Sequence, residues 1–269
     1  MLIRVLRWGF RWWPFMHGRG WILRLARLLL GRRTIRFDAG GGTLIDGALD
    51  DWMIVWLFMR GHERDAPFQH SLELLRPGDL ALDVGANFGT WSMLAARRGA
   101  RVIAFEPLPE LAARYRAHAA LNGVRDAVVH EAAVGAEEGT LPFFVAREGN
   151  SGVSSFARRG PEDDEVRVPV ITLDGFRGLE GVKLMKVDVE GAEILAFRGA
   201  RRFLSADGAP VIFFEVDDEL AARFGASSVD VKRLLVEYGY GIYRWRRGAL
   251  VPVALDEHHE HEDLFAIKP

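Results

Sequence analysis

The chain has 269 residues, of which 49% are hydrophobic and 27% charged, so we expect a folded protein with one large α/β domain and an appendage. It has no cysteine, which excludes disulfides, thiolate zinc sites and a cysteine nucleophile, and which suits a cytoplasmic protein. The net charge of −2 hides an asymmetry, because residues 1–36 hold nine arginines and no acidic residue. The body that follows is acidic, and we expect no nucleic-acid partner for it.

Residues 1–34 are expected to form a basic, amphipathic helical arm. Arg4, Arg7 and Arg11 share one helical face, and apolar residues lie largely away from it. The apolar runs are too short to span a bilayer. Two interpretations stay open: peripheral contact of the arm with the inner face of an anionic membrane, or packing of the arm on its own body or on a second subunit.

Residues 35–78 are expected to form a hairpin and helices that precede the main domain. The glycine run within "IRFDAGGGTLID" has β-forming residues on both sides, which predicts the hairpin. The stretch "DDWMIVWLFMRG" predicts a buried helix that begins at Asp50 or Asp51. A turn at 76–79 ends this segment, and the main domain is assigned to residues 79–269.

From residue 80 onward, strand-like and helix-like segments alternate along the chain. The predicted strands are "LALDV", "RVIAFE", "AVVHEAAV", "KLMKVDV" and "APVIFFEV", with late strands in "YGIYRW" and "DLFAIKP". Helices are expected at 88–98, at 108–121, in "GAEILAFRGARRFL" and at 228–238. This alternation predicts a mainly parallel sheet with helices on both faces. Residues 146–166 are polar and predict an exposed excursion.

The turn in "LALDVGANFGTW" carries the strongest functional signal. It comprises Gly85, Ala86, Asn87, Phe88 and Gly89. Its two glycines allow a backbone to approach a ligand closely, and their spacing is neither that of a dinucleotide turn nor that of a P-loop. Asp83 would place a carboxylate where a pyrophosphate would otherwise sit, which favours a ligand with a positively charged end.

Glu106 ends the next strand, 21 residues after Gly85. At this spacing an acid commonly accepts hydrogen bonds from ribose hydroxyls. A ligand with a ribose near Glu106 and a positive charge near Asp83 corresponds to S-adenosylmethionine. A nicotinamide-dependent oxidoreductase and a Rossmann-like turn with a purely structural role remain alternatives.

Three acids, Asp188, Glu190 and Glu193, crowd the stretch "KVDVEGAEI". Asp188 and Glu190 are two positions apart and project from one face of an extended chain. They are the candidate general bases for a hydroxyl acceptor, with Asp188 first. They could instead orient the acceptor, bind the ligand's ammonium end or hold a divalent metal, but two acids do not complete a metal site, so none is expected. Glu193 is expected to stabilise the start of the next helix.

Further polar residues are candidates for the same site. Glu215 ends the fifth strand on the same sheet edge, with Lys186 as a candidate partner. Asn150 and Ser154 lie in the polar excursion and could contact the acceptor. His130 is expected to be an ordinary strand residue. The histidines of the acidic tail, expected in a solvated loop rather than on a metal, are His258, His259 and His261.

Several stretches occur in the order typical of the FkbM-type methyltransferase family, which the chain resembles over roughly residues 70–217. They are "LDVGANFGTWS", "AFEP", "EAAVG", "GNSGVSSF", "ITLDGF" and "LMKVDVEGAEILAFRGA". The resemblance implies the class I methyltransferase fold, which is Rossmann-like, with a seven-stranded sheet containing one antiparallel strand. It also implies methyl transfer from S-adenosylmethionine to a hydroxyl of a sugar, glycan or secondary metabolite.

By the same resemblance, residues 83–89 would form the cofactor turn and Glu106 would hold the ribose. Residues 130–135, including Ala132, would line the adenine pocket. The first 33 residues are not part of the family pattern. A membrane-recruited binding module without catalytic activity therefore remains a further alternative.

Overall fold

The computed structural model describes residues 33–62, 65–145, 156–157 and 163–269. Asn150, Ser154 and nearly all of the basic arm lie outside these residues, so their predicted roles stay predictions. No helix in the described part of the chain is long and apolar enough to cross a lipid bilayer.

Strands and helices alternate through most of the described chain. The strands are β1 (Thr34–Asp38), β2 (Leu44–Ala48), β3 (Leu80–Val84), β4 (Arg101–Phe105), β5 (Ala127–His130), β6 (Ala133–Val134), β7 (Gly139–Val145), β8 (Asp164–Ile171), β9 (Val182–Val187), β10 (Val211–Val216), β11 (Gly241–Arg246), β12 (Ala249–Pro252) and β13 (Glu262–Ile267). The helices are α1 (Trp52–Arg60), α2 (Ala66–Glu73), α3 (Thr90–Arg97), α4 (Pro109–Leu121), α5 (Glu193–Arg198), α6 (Arg201–Ser205), α7 (Asp218–Ala222) and α8 (Ser228–Glu237).

An eight-stranded sheet of order β12-β11-β13-β10-β9-β3-β4-β5 forms the centre of the molecule. The strands from β10 to β5 in this order are parallel, whereas β13 is antiparallel to both of its neighbours. The order reverses between β3 and β9, which makes this point the topological switch, where open α/β sheets bind ligands. The predicted α/β fold with a mostly parallel sheet is confirmed, and β12 adds an eighth strand, antiparallel to β11, to the seven that were expected.

The predicted strand "AVVHEAAV" is in fact two strands in two different sheets. β5 pairs with β4 in the central sheet, whereas β6 joins β7 and β8 in a separate three-stranded sheet. Between them the amide of Ala132 donates to the carbonyl of His130 at 3.0 Å, which closes a tight turn and redirects the chain. The prediction of one continuous strand was therefore wrong.

The helix predicted in "GAEILAFRGARRFL" is divided into α5 and α6. A Cβ at Gly199 would lie 1.9 Å from the carbonyl oxygen of Gly135, so two backbones meet at the break. Asp174 donates its amide to the carbonyl of Gly199 at 2.9 Å, and its carboxylate accepts from the amides of Arg202 and Phe203 at 2.9 and 2.8 Å. These contacts end one helix and cap the next.

The β1–β2 hairpin and α1 pack over the sheet edge that carries the candidate site. Asp51 caps α1 by accepting from the amide of Met53 at 3.0 Å, which confirms the predicted helix start. Asn122, the residue directly after α4, accepts from the amide of Leu44 and donates to its carbonyl, both at 2.8 Å. Buried apolar residues of the hairpin, α1, the turn after β3 and the three-stranded sheet pack together in one cluster. They include Ile35, Phe37, Ile45, Ile54, Phe58, Phe88, Phe143 and Val168.

Candidate functional site

The turn after β3 depends on its glycines for two separate reasons. Gly85 and Gly89 have φ angles of +79° and +88°, in the left-handed region that disfavours residues with a Cβ. A Cβ on Gly85 would lie 1.9 Å from the carbonyl oxygen of Asp188, and one on Gly89 would lie 2.5 Å from the ring of Tyr115. Gly85 thus allows the turn after β3 to touch the turn after β9.

Glu106, at the end of β4, holds this turn in place through backbone hydrogen bonds. Its Oε2 accepts from the amide of Asn87 and its Oε1 accepts from the amide of Leu108, both at 2.9 Å. The residue is only 4% exposed, and burial raises the pKa of its carboxyl to about 7 against the effect of these hydrogen bonds. Each oxygen retains a further lone pair that can accept from a ligand.

A cavity, which we call the glycine-turn cavity, opens beyond the carboxyl ends of β3, β4 and β9. Six of the predicted cofactor contacts line it: Gly85, Ala86, Asn87, Phe88, Glu106 and Ala132. Its apolar walls include Phe105, Leu111, Ala133, Val134, Phe143 and Phe156. A largely apolar cavity with one buried carboxyl is typical of a site for a small molecule with an aromatic part and a polar part.

Asp83 faces the protein interior and not the glycine-turn cavity. Its side chain is fully buried, its Oδ2 accepts from the hydroxyl of Ser92 at 2.6 Å, and its Oδ1 lies 3.5 Å from Nζ of Lys186. Burial raises the pKa of its carboxyl, whereas Lys186 and Ser92 act in the opposite direction. The positive charge that the sequence analysis assigned to a ligand beside Asp83 is supplied here by Lys186.

Lys186, in β9, connects the two turns. Its Nζ lies 3.1 Å from Oδ2 of Asp188 and donates to the carbonyl of Gly85 at 3.3 Å, in addition to its pairing with Asp83. Burial opposes the charge, but the carboxylates of Asp188 and Asp83 outweigh burial and raise the pKa of the lysine. Lys186 therefore pairs with these two acids, and the pairing with Glu215 that the sequence suggested does not form.

The turn after β9 brings Asp188 and Glu190 to the cavity wall. Glu190 has a φ of +56°, which is uncommon for a residue with a side chain. Glu193 is the first residue of α5, the position predicted for it, and it accepts from the amides of Val189 and Gly191 at 3.0 and 3.3 Å. These hydrogen bonds hold the turn that precedes the helix. Burial raises the pKa of the Glu193 carboxyl to about 8.

A second cavity, which we call the acidic cavity, adjoins the first. Its carboxyl groups belong to Asp65, Asp188, Glu190, Glu215 and Asp263. Its aromatic side chains include Trp52, Trp56 and Phe68, and its histidines are His62 and His261. The side chains that line both cavities are Met53, His62, Phe68, Lys186, Asp188 and Glu190. The two cavities therefore meet at the turn after β9.

Glu215 and Asp263 lie directly opposite each other on β10 and β13. Nδ1 of His261 lies 2.9 Å from Oε1 of Glu215, and this carboxylate raises the pKa of the imidazole to about 9. Asp263 is half-buried beside Glu215, and desolvation together with the charge of that neighbour raises the pKa of its carboxyl well above the usual value. His261 therefore balances the charge of Glu215.

The sequence analysis missed Asp263, His62 and the role of His261. His258 and His261 are largely exposed, as the solvated loop predicted for the tail requires. His259 is instead buried with its Nε2 3.0 Å from Nζ of Lys232, so this prediction was wrong in part. One signal was available: Asp263 opens the predicted last strand, which the fold places beside β10.

The structure also places His130 and the cluster around His259. His130 stacks on Phe105 with ring centroids 5.4 Å apart, as an ordinary strand residue would. Glu257, His259 and Glu262 offer ligand atoms within 4.8 Å of one another. Arg244 pairs with both glutamates, and its guanidinium lies 3.3 Å from Glu262. This cluster is an ion-pair network that ties down the tail.

The strand order and the cavity at the switch point are those of the class I methyltransferase fold. Residues 83–242 match the family described as the methyltransferase FkbM domain. Because this match covers more than half of the chain, the chain belongs to the FkbM methyltransferase domain family.

Three of the known proteins similar to the chain are described as methyltransferases. It is 30% identical over 141 residues to "Methyltransferase 1" of Beauveria bassiana, an alignment that spans 44% of this chain and 57% of that protein. The tRNA (uracil-54, C5)-methyltransferase of Pyrococcus abyssi, solved with S-adenosyl-L-homocysteine, is 15% identical with a TM-score of 0.47, over 88% of this chain and 44% of that one. The precorrin-6y C5,15-methyltransferase of Geobacter metallireducens is 16% identical with a TM-score of 0.43, over 75% and 87%.

Proposed function

We propose that the protein is an S-adenosylmethionine-dependent O-methyltransferase that acts on a hydroxyl of a sugar, glycan or secondary metabolite. One observation carries this proposal: the glycine-turn cavity, with the buried carboxyl of Glu106, meets the acidic cavity at Asp188 and Glu190. A donor site and an acceptor site that share one wall are what group transfer between two small molecules requires. Membership of the family supports methyl transfer as the reaction.

The residues of the glycine-turn cavity suit the proposed cofactor. The spare lone pairs of Glu106 can accept from ribose hydroxyls, and the apolar wall at Phe105 and Ala132 can take an adenine ring. When bound, S-adenosylmethionine supplies a methyl group on a positively charged sulfur; transfer to a hydroxyl forms an O–C bond, leaves the S–C electron pair on the sulfur and frees one proton.

Asp188 and Glu190 are proposed to contact the reacting groups. Both line the two cavities at their junction, so each can face the acceptor hydroxyl or the positively charged end of the cofactor. Because Asp83 is enclosed by Lys186 and Ser92, these acids replace it as candidates for the cofactor's charged end. Glu215 lines the acidic cavity but not the glycine-turn cavity, so we assign it to the acceptor side.

Calorimetry with S-adenosylmethionine and S-adenosylhomocysteine tests the cofactor assignment. We expect both to bind, and Glu106→Gln to weaken binding by about 10- to 100-fold, as expected when a hydrogen bond to a charged group is lost. Glu110→Gln, at an exposed site in the first turn of α4, is the control and should bind normally. A folded wild-type protein that binds neither ligand would contradict the proposal.

Mass spectrometry of reaction products tests the choice of oxygen as the methylated atom. With S-adenosylmethionine and a panel of hydroxylated acceptors, we expect one methyl group to be added at a hydroxyl oxygen. Methylation at carbon or nitrogen, with the hydroxyls left free, would support methyltransferase activity but contradict the proposed specificity for oxygen.

A further inference from the structure

His62 occupies an unusual position at the junction of the two cavities. It is 8% exposed and lines both cavities. Its ring stacks on Phe68 with centroids 4.1 Å apart and meets the edge of Trp56 at 5.5 Å. Among the described residues, neither of its ring nitrogens has a hydrogen-bond partner. Buried polar groups are nearly always hydrogen-bonded in native proteins, so these nitrogens point to a missing ligand.

The imidazole of His62 is in its neutral form. Burial, with a further contribution from the charge of Lys186, lowers its pKa to about 3. A neutral imidazole has one nitrogen that donates a hydrogen bond and one that accepts. His62 can therefore accept the hydrogen bond of a hydroxyl that enters from the acidic cavity.

The chemistry of the acidic cavity limits what can enter. Trp52 and Trp56 are four residues apart on α1, so their indoles share one helical face and can stack on a ring. The cationic groups there are already paired, Lys186 with Asp188 and His261 with Glu215. The remaining carboxyl oxygens can accept from hydroxyl or ammonium groups and would repel an anion.

We propose that the acidic cavity is the acceptor site for a hydroxylated ring without an anionic group, and that His62 accepts the hydrogen bond and then the proton of the methylated hydroxyl. This inference rests on the proposed function. As the O–C bond forms, the oxygen becomes positively charged and strongly acidic, so even a weakly basic imidazole takes its proton. The carboxylates that line the acidic cavity then carry the proton toward solvent.

Asp188 is less suited to take that proton. Its Oδ2 lies 3.1 Å from Nζ of Lys186, and this ammonium is buried. Protonation of Asp188 would remove one of the charges that balance Lys186 in the interior, which is unfavourable. In our proposal Asp188 stays paired with Lys186 and orients the acceptor, while His62 receives the proton.

Probe binding tests the chemical class of the acceptor. The full-length protein, saturated with S-adenosylhomocysteine, is titrated with methyl β-D-glucopyranoside, glucosamine and glucose 6-phosphate, and tryptophan fluorescence is recorded. We expect the first two to bind at least about tenfold more tightly than the phosphate. Trp52→Ala should weaken probe binding and leave S-adenosylhomocysteine binding unchanged, whereas Val128→Ala, at a similarly exposed site, should change neither.

Nitrogen NMR of ¹⁵N-histidine-labelled protein tests the contact with His62. His62→Gln assigns the His62 signals, and His258→Gln assigns those of an exposed control. Adding methyl β-D-glucopyranoside to the protein with S-adenosylhomocysteine should shift one ring nitrogen of His62 and leave His258 unchanged. Thermal unfolding of each variant verifies that it folds.

The outcomes separate this inference from the proposed function. Failure to bind S-adenosylhomocysteine contradicts the proposed function itself. Normal binding of that ligand, with no probe bound or with the phosphate bound most tightly, overturns only the acceptor class. Probe binding without a change at His62 overturns the role of the histidine.

Discussion

The two cavities that meet at the turn after β9 are built in different ways. Away from the junction, the glycine-turn cavity is formed by the turn after β3 and by Glu106, whose carboxyl accepts from backbone amides of Asn87 and Leu108. The acidic cavity is assembled from side chains of α1, α2, β9, β10, β13 and the loops next to them, and ion pairs hold it together. A cavity built like the glycine-turn cavity suits a cofactor that is the same in all relatives. A cavity built like the acidic cavity can change its side chains, so the acceptor can differ from one relative to another.

Lys186 lines both cavities, and its replacement should lower the free energy of unfolding more than any other change considered below. Lys186→Met leaves Asp83 buried without a positive neighbour, and breaking a buried ion pair of this kind lowers the free energy of unfolding by about 3–5 kcal/mol. Urea unfolding measures the change. Lys183→Met, at an exposed position of the same strand, should stay within about 0.5 kcal/mol of wild type. Equal effects of the two changes would show that the pairing is not what stabilises the junction.

Gly85→Ala tests the close approach of the two turns. A Cβ would collide with the carbonyl of Asp188 in addition to straining the backbone, so we expect a loss of about 3 kcal/mol and loss of cofactor binding. Gly208 has a similar φ of +73°, and no atom lies within 4 Å of the position that a Cβ would take there, so Gly208→Ala isolates the strain, at about 1 kcal/mol. Similar losses in both variants would argue against the close contact.

Glu193→Gln tests the buried carboxyl behind the turn after β9. The folded protein holds the pKa of Glu193 at about 8, above the ordinary value of 4.5, so between these pH values the unfolded chain ionises first and stability falls as pH rises. Glutamine keeps an oxygen that can accept from Val189 and Gly191 but does not ionise.

Thermal unfolding measured from pH 4 to pH 9 checks this difference. The variant should match wild type near pH 4 and become more stable than wild type by at least about 1 kcal/mol at pH 8. Glu237→Gln, at the exposed end of α8, should give a curve parallel to wild type. A variant that loses stability at all pH values would mean that the ionised form of Glu193 is the one the fold requires.

Asp51→Ala should have the smallest effect, on the helix that carries the indoles of the acidic cavity. Loss of the cap at Met53 should lower the free energy of unfolding by about 1 kcal/mol. Asp51→Asn can still accept from that amide and should lose less, although it weakens the ion pair with Arg114. If Asp51→Asn lowers the free energy of unfolding as much as Asp51→Ala does, the ion pair with Arg114 contributes more to stability than the cap does.

The contrast between the cavities also explains what the sequence could predict. The strands, the glycine turn and the place of Glu106 follow from short-range patterns, namely apolar runs, glycine spacing and an acid at a strand end. The helix cap at Asp51 is local in the same sense. These features were predictable because residues close in sequence determine them.

Features that depend on distant partners could not be predicted in the same way. The break between α5 and α6 requires the backbone of Gly199 to meet that of Gly135 and the cap from Asp174. The direction of Asp83 depends on Lys186, about one hundred residues away in the chain. His62 carries no motif, because its burial and its unpartnered nitrogens result from packing alone.

A crystal structure with bound S-adenosylhomocysteine is the most direct test of the account. It should place the adenosine in the glycine-turn cavity, with the ribose on Glu106 and the sulfur at the junction formed by Asp188, Glu190 and His62. A ligand bound elsewhere, or a sulfur directed away from the acidic cavity, would contradict the claim that the two cavities together form the methyl-transfer site.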